Sequence, residues 1–190
     1  MKTMLIYMKG DLFDHLRQDD VCVHIVNDQG LFGAGFALAV AERFPLAKRC
    51  YEDWFRNQYS SPAYLNSNEF NVRPTLGDIQ VLEMSIHWEL VAALTAKSVE
   101  MTDMNKEKMR QTFTLINMIA QQGVRSRTNP KPIKYDALDK CLSRIPEYAL
   151  KSQRIIMPKI GTGFAGGDWK IISKLVEEYL KGYRVVVFTK

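Results

Sequence analysis

The stretch Asn27-Asp28-Gln29-Gly30-Leu31-Phe32-Gly33-Ala34-Gly35-Phe36 follows an apolar run, Val21 to Val26, and precedes a long helical pattern. A strand, a glycine turn and a helix start, in that order, form an anion site. Backbone N–H groups point out of the first helical turn, and the helix dipole favours negative charge there. Glycine has no Cβ, so Gly30, Gly33 and Gly35 let a bulky phosphate approach the main chain. A second stretch repeats the arrangement: Ile160-Gly161-Thr162-Gly163-Phe164-Ala165-Gly166-Gly167-Asp168-Trp169. It follows the apolar run Arg154 to Ile160 and also leads into a helical pattern. The two loops are expected to face each other and hold a diphosphate.

Around these loops, strand-like and helix-like segments alternate. Met4 to Met8 reads as a first strand, and Asp11 is set to cap a short helix through Arg17. Val21 to Val26 is almost wholly apolar, as in a strand covered on both faces. Helical spacing runs from Gly35 to Phe55, and Pro45 either divides it into two helices or kinks one. Tyr59 to Pro74 reads as a loop. Leu76 to Met84 alternates apolar and polar residues, the pattern of a half-buried strand. Trp88 to Ala96 fits a strand or a helix, and Asp103 to Arg110 an exposed helix or mobile segment. Phe113 to Ala120 is strand-like, and Gln121 to Ile133 is an irregular basic loop. Helical spacing returns over Tyr135 to Leu150, where Pro146 threatens it. Arg154 to Met157 is a strand, Lys170 to Leu180 an amphipathic helix with Gly182 as its C-cap, and Tyr183 to Phe188 a last strand. The alternation predicts an α/β fold, a sheet between two helix layers, with ligands beyond the carboxyl ends of the strands.

Composition narrows the field. The chain has 190 residues, 46% apolar, with a formal charge of +5. That suits a single domain with an ordinary core. The mild positive charge fits an anionic substrate and does not require a nucleic-acid partner. Cys22, Cys50 and Cys141 are odd in number and lack CxxC spacing, so they are expected to be reduced thiols in a cytoplasmic protein. No apolar run approaches the roughly 20 residues of a membrane helix, and the start does not read as a signal peptide. His15 and His87 lack partners at metal spacing, so no metal site is expected.

The ordered pieces resemble a known family. Lys9-Gly10-Asp11-Leu12, His24 to Asp28 with Gly33 to Ala37, Leu76-Gly77-Asp78-Ile79, Asn117 to Gln121 with Tyr135 to Leu138, and Met157 to Gly163 with Gly166 to Trp169 are similar to the macrodomains, the ADP-ribose-binding modules. The nearest branch holds ADP-ribose 1″-phosphate phosphatases and terminal ADP-ribose glycohydrolases of phages and bacteria. The resemblance spans nearly the whole chain and implies a three-layer α/β/α sandwich with a mixed central sheet, residues 85–110 being an insertion. It also implies site roles. Asp11, with Leu12 beside it, would meet the adenine amino group. Asn27 would face the distal ribose, and Gln29, Gly33, Ala34, Gly35 and Phe36 would wrap that ribose and one phosphate. Gln121 would lie near the same ribose. Ile160, Gly161, Thr162, Gly163, Phe164 and Ala165 would hold the diphosphate from the other side.

The pattern departs from the hydrolases in two places. Phe36-Ala37 stands where one hydrolase class carries an aspartate. Gln121-Gln122 and Ala165 stand where terminal glycohydrolases carry a lysine and an aspartate. His24 is at the position of a histidine in the phosphatase-like members. Its ordinary pKa suits acid–base work near neutrality, and Asp28 could orient a water. The expected partner is therefore ADP-ribose or ADP-ribose 1″-phosphate, with ADP-ribosylated protein or nucleic acid as the alternative, and without a cofactor. A non-catalytic ADP-ribose-binding module and a generic mononucleotide binder are the competing classes. The blander readings make His24 a core residue, Asp168 a helix cap and Trp169 a packing residue.

Overall fold

The computed structural model describes residues 5–56 and 73–189. Most of the loop expected over Tyr59 to Pro74, and Met4 of the first strand, lie outside the described residues. Six strands form one sheet in the order β1-β6-β5-β2-β4-β3. They are β1 (Leu5–Lys9), β2 (Val21–Asn27), β3 (Ile79–Ser85), β4 (Thr112–Gln121), β5 (Arg154–Pro158) and β6 (Arg184–Thr189). All neighbours pair in parallel except β3, which runs antiparallel to β4 on the edge. The sheet is therefore mixed, as expected.

Side chains alternate across the strands and divide the core in two. From β2, Val21 and Val23 join one cluster, whereas Cys22 and Val26 join the other. From β4, Ile116, Met118 and Ala120 go one way, and Leu115 and Ile119 the other. Helices α5 (Tyr135–Arg144) and α6 (Trp169–Tyr179) cover the first face with Leu138, Leu142, Ile172 and Val176. Helices α1 (Gly35–Arg43) and α2 (Pro45–Arg56) cover the second with Val40, Ala47 and Tyr51. A short 3-10 turn, Leu12–His15, packs on the same side and is capped by Asp11, which accepts from the Phe13 N–H at 2.9 Å. The result is the α/β/α sandwich.

Proline behaves as local sterics require. Pro45 opens α2, where its missing N–H costs nothing, so the pattern breaks into two helices. Pro146 lies in a 3-10 turn, Ile145–Glu147, directly after α5. Residues 85–110 supply α3 (Trp88–Thr95) and α4 (Asp103–Met109), neither of which has a buried residue.

Two details differ from the sequence reading. Gln80 occupies a polar place in an alternating strand, yet it is only 4% exposed. Its face of the edge strand is covered by α2, and its amide nitrogen donates to the Cys50 carbonyl at 3.0 Å. The cap of α6 is Leu180, with Gly182 two residues further on at φ +84°. That glycine turns the chain into β6 after the helix has ended.

Candidate functional site

Four loops leave the carboxyl ends of parallel strands β1, β2, β4 and β5 on one side of the sheet. The two glycine loops follow β2 and β5, which are neighbours.

The first loop is folded by Asn27. Its Oδ1 accepts from the N–H groups of Gln29 and Leu31 at 2.9 and 3.1 Å, and its Nδ2 donates to the Leu31 carbonyl at 2.5 Å. The Tyr51 hydroxyl donates to the Asn27 main-chain carbonyl. The Asn27 side chain is thus committed to shaping the turn. At Gly30, φ is +74° and a Cβ would fall 2.8 Å from the Phe55 side chain. Only glycine suits that position. Helix α1 then starts at Gly35 with no side-chain cap from Ala34 and no acid in its first turn. Its positive end is not neutralised by its own residues.

The second loop is built differently. Gly161 has φ +74°, and a Cβ there would lie 2.8 Å from Ile172 Cδ1. Its carbonyl accepts from the Gly167 N–H at 2.7 Å, and the Gly163 carbonyl from Gly166 at 3.0 Å. Ile160 and Ala165 turn their side chains into the core. They could meet a ligand only through the main chain. Asp168 caps α6 by accepting from the Lys170 N–H at 2.8 Å. Trp169 packs edge-on to Tyr7 and donates to its hydroxyl at 3.0 Å. Both residues follow the blander reading.

The loops do come together. A Cβ at Gly35 would lie 3.2 Å from the ring of Phe164, which is itself 58% exposed. The loop after β4 completes this side: Asp28 accepts from the Gly123 N–H at 2.6 Å, and Gln121 Nε2 donates to the Gly123 carbonyl at 3.0 Å. Gln29 lies close by, its amide 3.5 Å from a Cβ placed on Gly123. Lys131 and the Pro130 carbonyl border Gly166, and the Ile133 N–H donates to the Ala165 carbonyl at 3.2 Å. Asp11 is half-exposed at the end of β1, with Arg43 at 3.8 Å; Leu12 is buried beside it. Phe13 stacks on Phe36 at 5.3 Å between centroids.

His24 does not line the surface. It is 1% exposed, beneath Phe32 and Phe36, whose rings meet the imidazole edge-on at 5.7 and 5.4 Å. Burial lowers its pKa to about 4, against the opposing pull of the Asn117 hydrogen bond. The imidazole is therefore neutral at pH 7. Its Nε2 lies 2.5 Å from Asn117 Oδ1. Asn117 Nδ2 donates onward to Gln80 Oε1 at 2.8 Å. Asn117 opened one of the matching pieces without a role of its own, and Gln80 did not stand out. The available signal was a lone amide inside the apolar run Phe113 to Ala120, since a buried polar residue is more informative than an exposed apolar one.

The three cysteine thiols are buried, and burial pushes the Cys141 thiol up to about 12 and the Cys22 thiol higher still. Among the described residues no cluster of His, Cys, Asp and Glu could hold a metal ion, and no helix is long and apolar enough to cross a membrane. A cavity of about 230 Å³ lies between Phe13, Arg43, Phe44, Ile86, Trp88 and Lys108, and its wall adjoins the site through Phe13, stacked on Phe36, and Arg43, beside Asp11. It holds none of the residues that the two loops bring together.

No protein-family profile matches the chain. It is 26% identical over 179 residues to an ADP-ribose 1″-phosphate phosphatase of Candida albicans, covering 93% of this chain and 94% of that one. A protein of unknown function from Bacteroides thetaiotaomicron has a similar structure, with TM-score 0.69, 27% identity and 98% of both chains covered. A macrodomain protein from Streptomyces coelicolor aligns with TM-score 0.62 and 24% identity, over 98% of this chain and 99% of that one.

Proposed function

We propose that this chain, which shares the fold of a macrodomain protein, belongs to the macrodomains, binds ADP-ribose and hydrolyses the phosphate monoester of ADP-ribose 1″-phosphate. The observation that carries this reading is the contact of the two glycine loops, Phe164 lying across Gly35. Neutral main-chain donors and the uncapped start of α1 suit a diphosphate, because they stabilise its charge without a competing carboxylate. Helix α6 is capped by Asp168, so the second loop contributes through its backbone alone. Asp11 at the far end of the row suits the amino donor of adenine. The full-length similarity to a phosphatase of this ester supports the choice of substrate.

In the reaction, a water oxygen bonds to phosphorus, the bond from phosphorus to the ribose oxygen breaks, and one proton of that water ends on the ribose oxygen while the other stays on the released phosphate. We assign Asp28 to orient the water, one of its oxygens being fixed by the Gly123 N–H. His24, 1% exposed beneath Phe32 and Phe36, supports the first loop from below rather than meeting the ester. A second reading, removal of ADP-ribose from an anionic macromolecule, draws on the exposed Arg125, Arg127 and Lys131 in the loop beside Gly166.

Two assays test the proposal. Calorimetry with ADP-ribose should give heat, and incubation with ADP-ribose 1″-phosphate should release inorganic phosphate. Gly35→Val should weaken ADP-ribose binding about tenfold or more, since φ is +59° and the new side chain would press on Phe164. Binding without phosphate release identifies a non-catalytic module. Wild-type protein that gives no heat with ADP-ribose, or a Gly35→Val variant that binds it unchanged, overturns the reading of the loops.

A further inference from the structure

One polar chain crosses the apolar layer between the sheet and α2. Even-numbered residues of β2 and β3 and odd-numbered residues of β4 face this layer, which brings His24, Asn117 and Gln80 into line. All three are buried: 1%, 0% and 4% exposed. The chain ends on the Cys50 carbonyl of α2.

That end fixes the direction of every bond before it. A carbonyl can only accept, so Gln80 must present its amide nitrogen to Cys50, at 3.0 Å. Gln80 Oε1 is then the acceptor facing Asn117, and Asn117 Nδ2 donates to it at 2.8 Å. Asn117 Oδ1 is consequently the atom facing His24 Nε2, at 2.5 Å. An amide oxygen has no proton to give, so Nε2 must carry the hydrogen. Reversing either amide would set donor against donor or acceptor against acceptor in a buried layer, at a cost for each mismatch. The other ring nitrogen, Nδ1, has no protein partner among the described residues.

We infer that Gln80 and Asn117 are positioning residues that hold His24 as its Nε2–H tautomer, leaving Nδ1 as its one free hydrogen-bonding atom and an acceptor. The donor nitrogen is consumed by Asn117, so His24, buried under Phe32 and Phe36, offers only an acceptor to the floor of the first loop. The proton on the departing ribose oxygen does not come from His24. This consequence for catalysis rests on the phosphatase reading; the tautomer itself does not. The relay also explains why an amide occupies the middle of β4 and another the edge strand, where apolar residues would pack without a polar penalty.

Long-range proton–nitrogen spectra of the full chain, labelled at histidine nitrogen, read the tautomer directly. Only three histidines are present, and loss of one pattern in His24→Gln assigns it. The expected result in the wild type is a single Nε2–H pattern for His24. An Nδ1–H pattern, or an average of the two, overturns the inference without any variant having to fold. In Gln80→Met, close in volume but without the amide, Asn117 is freed to turn over. The His24 pattern should then become a mixture of tautomers. The kcat for phosphate release should fall about tenfold while KM stays within about threefold, because no loop contact is touched. An unchanged His24 pattern in that variant also overturns the relay, and a mixed pattern with full kcat overturns its catalytic role. Absence of phosphate release by the wild type counts against the phosphatase reading alone.

Discussion

Asp20→Ala should destabilise the fold by about 3–5 kcal/mol, the cost of leaving a buried charge without its partner. Asp20 precedes β2 and Arg154 opens β5, so their pairing ties two neighbouring strands at the end of the sheet opposite the glycine loops. The guanidinium meets the carboxylate with two nitrogens: Nε donates to Oδ1 at 2.9 Å and Nη2 to Oδ2 at 2.5 Å. The side chains of Arg154 and Asp20 are 10% and 3% exposed. Oδ2 also accepts from the Arg17 N–H at 2.8 Å, and Arg154 Nη2 donates to the His15 carbonyl at 2.6 Å. Removing the carboxylate breaks three hydrogen bonds and strands a cation among apolar strands. For a chain of this length the loss lowers Tm by on the order of 10 °C. Urea and thermal unfolding measure it. The double variant Asp20→Leu, Arg154→Met should recover much of the loss, since apolar replacements carry no desolvation cost. A single variant that loses less than about 1 kcal/mol would show that the pair does not hold these strands. Because the site lies at the other end of the sheet, ADP-ribose affinity in the folded fraction should be unchanged.

The sequence was most legible where one interaction dominates. Val21 to Val26 announced a strand covered on both faces, because nothing but a double-sided core accepts such a run. Pro45 offered a division or a kink, and the geometry of proline at a first helical position decided for division. The paired glycine loops were legible too, since positive φ and close approach leave few alternatives to glycine at Gly30, Gly35 and Gly161. What the pattern could not show was partnership across distant segments. Gln80 looked solvent-facing because alternation reports which side of a strand a residue occupies, not whether a helix covers that side. Asp20 and Arg154, 134 residues apart, carry no sequence signal as a pair, since only the topology makes β2 and β5 neighbours. Asn27, which the resemblance places at the distal ribose, also closes its own turn through bonds to Gln29 and Leu31, a local role that the resemblance did not supply.

His24 makes the second large effect one of pH. Its folded pKa of about 4 lies below the ordinary 6.5, with burial as the main cause. The unfolded chain therefore takes the proton first as the solution is acidified. The stability that neutral His24 contributes is complete above pH 6.5 and is lost as pH falls from there through 4. The difference amounts to about 2 kcal/mol between pH 7 and pH 5, and about 3 kcal/mol by pH 4. Nearby bonds strengthen the expectation. A protonated imidazole would carry hydrogen on both nitrogens, and Nδ1 makes no hydrogen bond of ordinary geometry to a described residue, though the Asn117 side chain and the Ile25 main chain pull weakly the other way. The comparison needs a variant that cannot titrate. His24→Gln keeps a donor for Asn117 Oδ1 and stays neutral throughout, so subtracting its profile removes what the other carboxylates and histidines contribute. Urea unfolding at intervals from pH 7 to pH 5 should show the wild type losing stability faster than the variant. Parallel profiles would mean that His24 takes its proton as readily in the folded chain as in the unfolded one, and the lowered pKa would have to be abandoned.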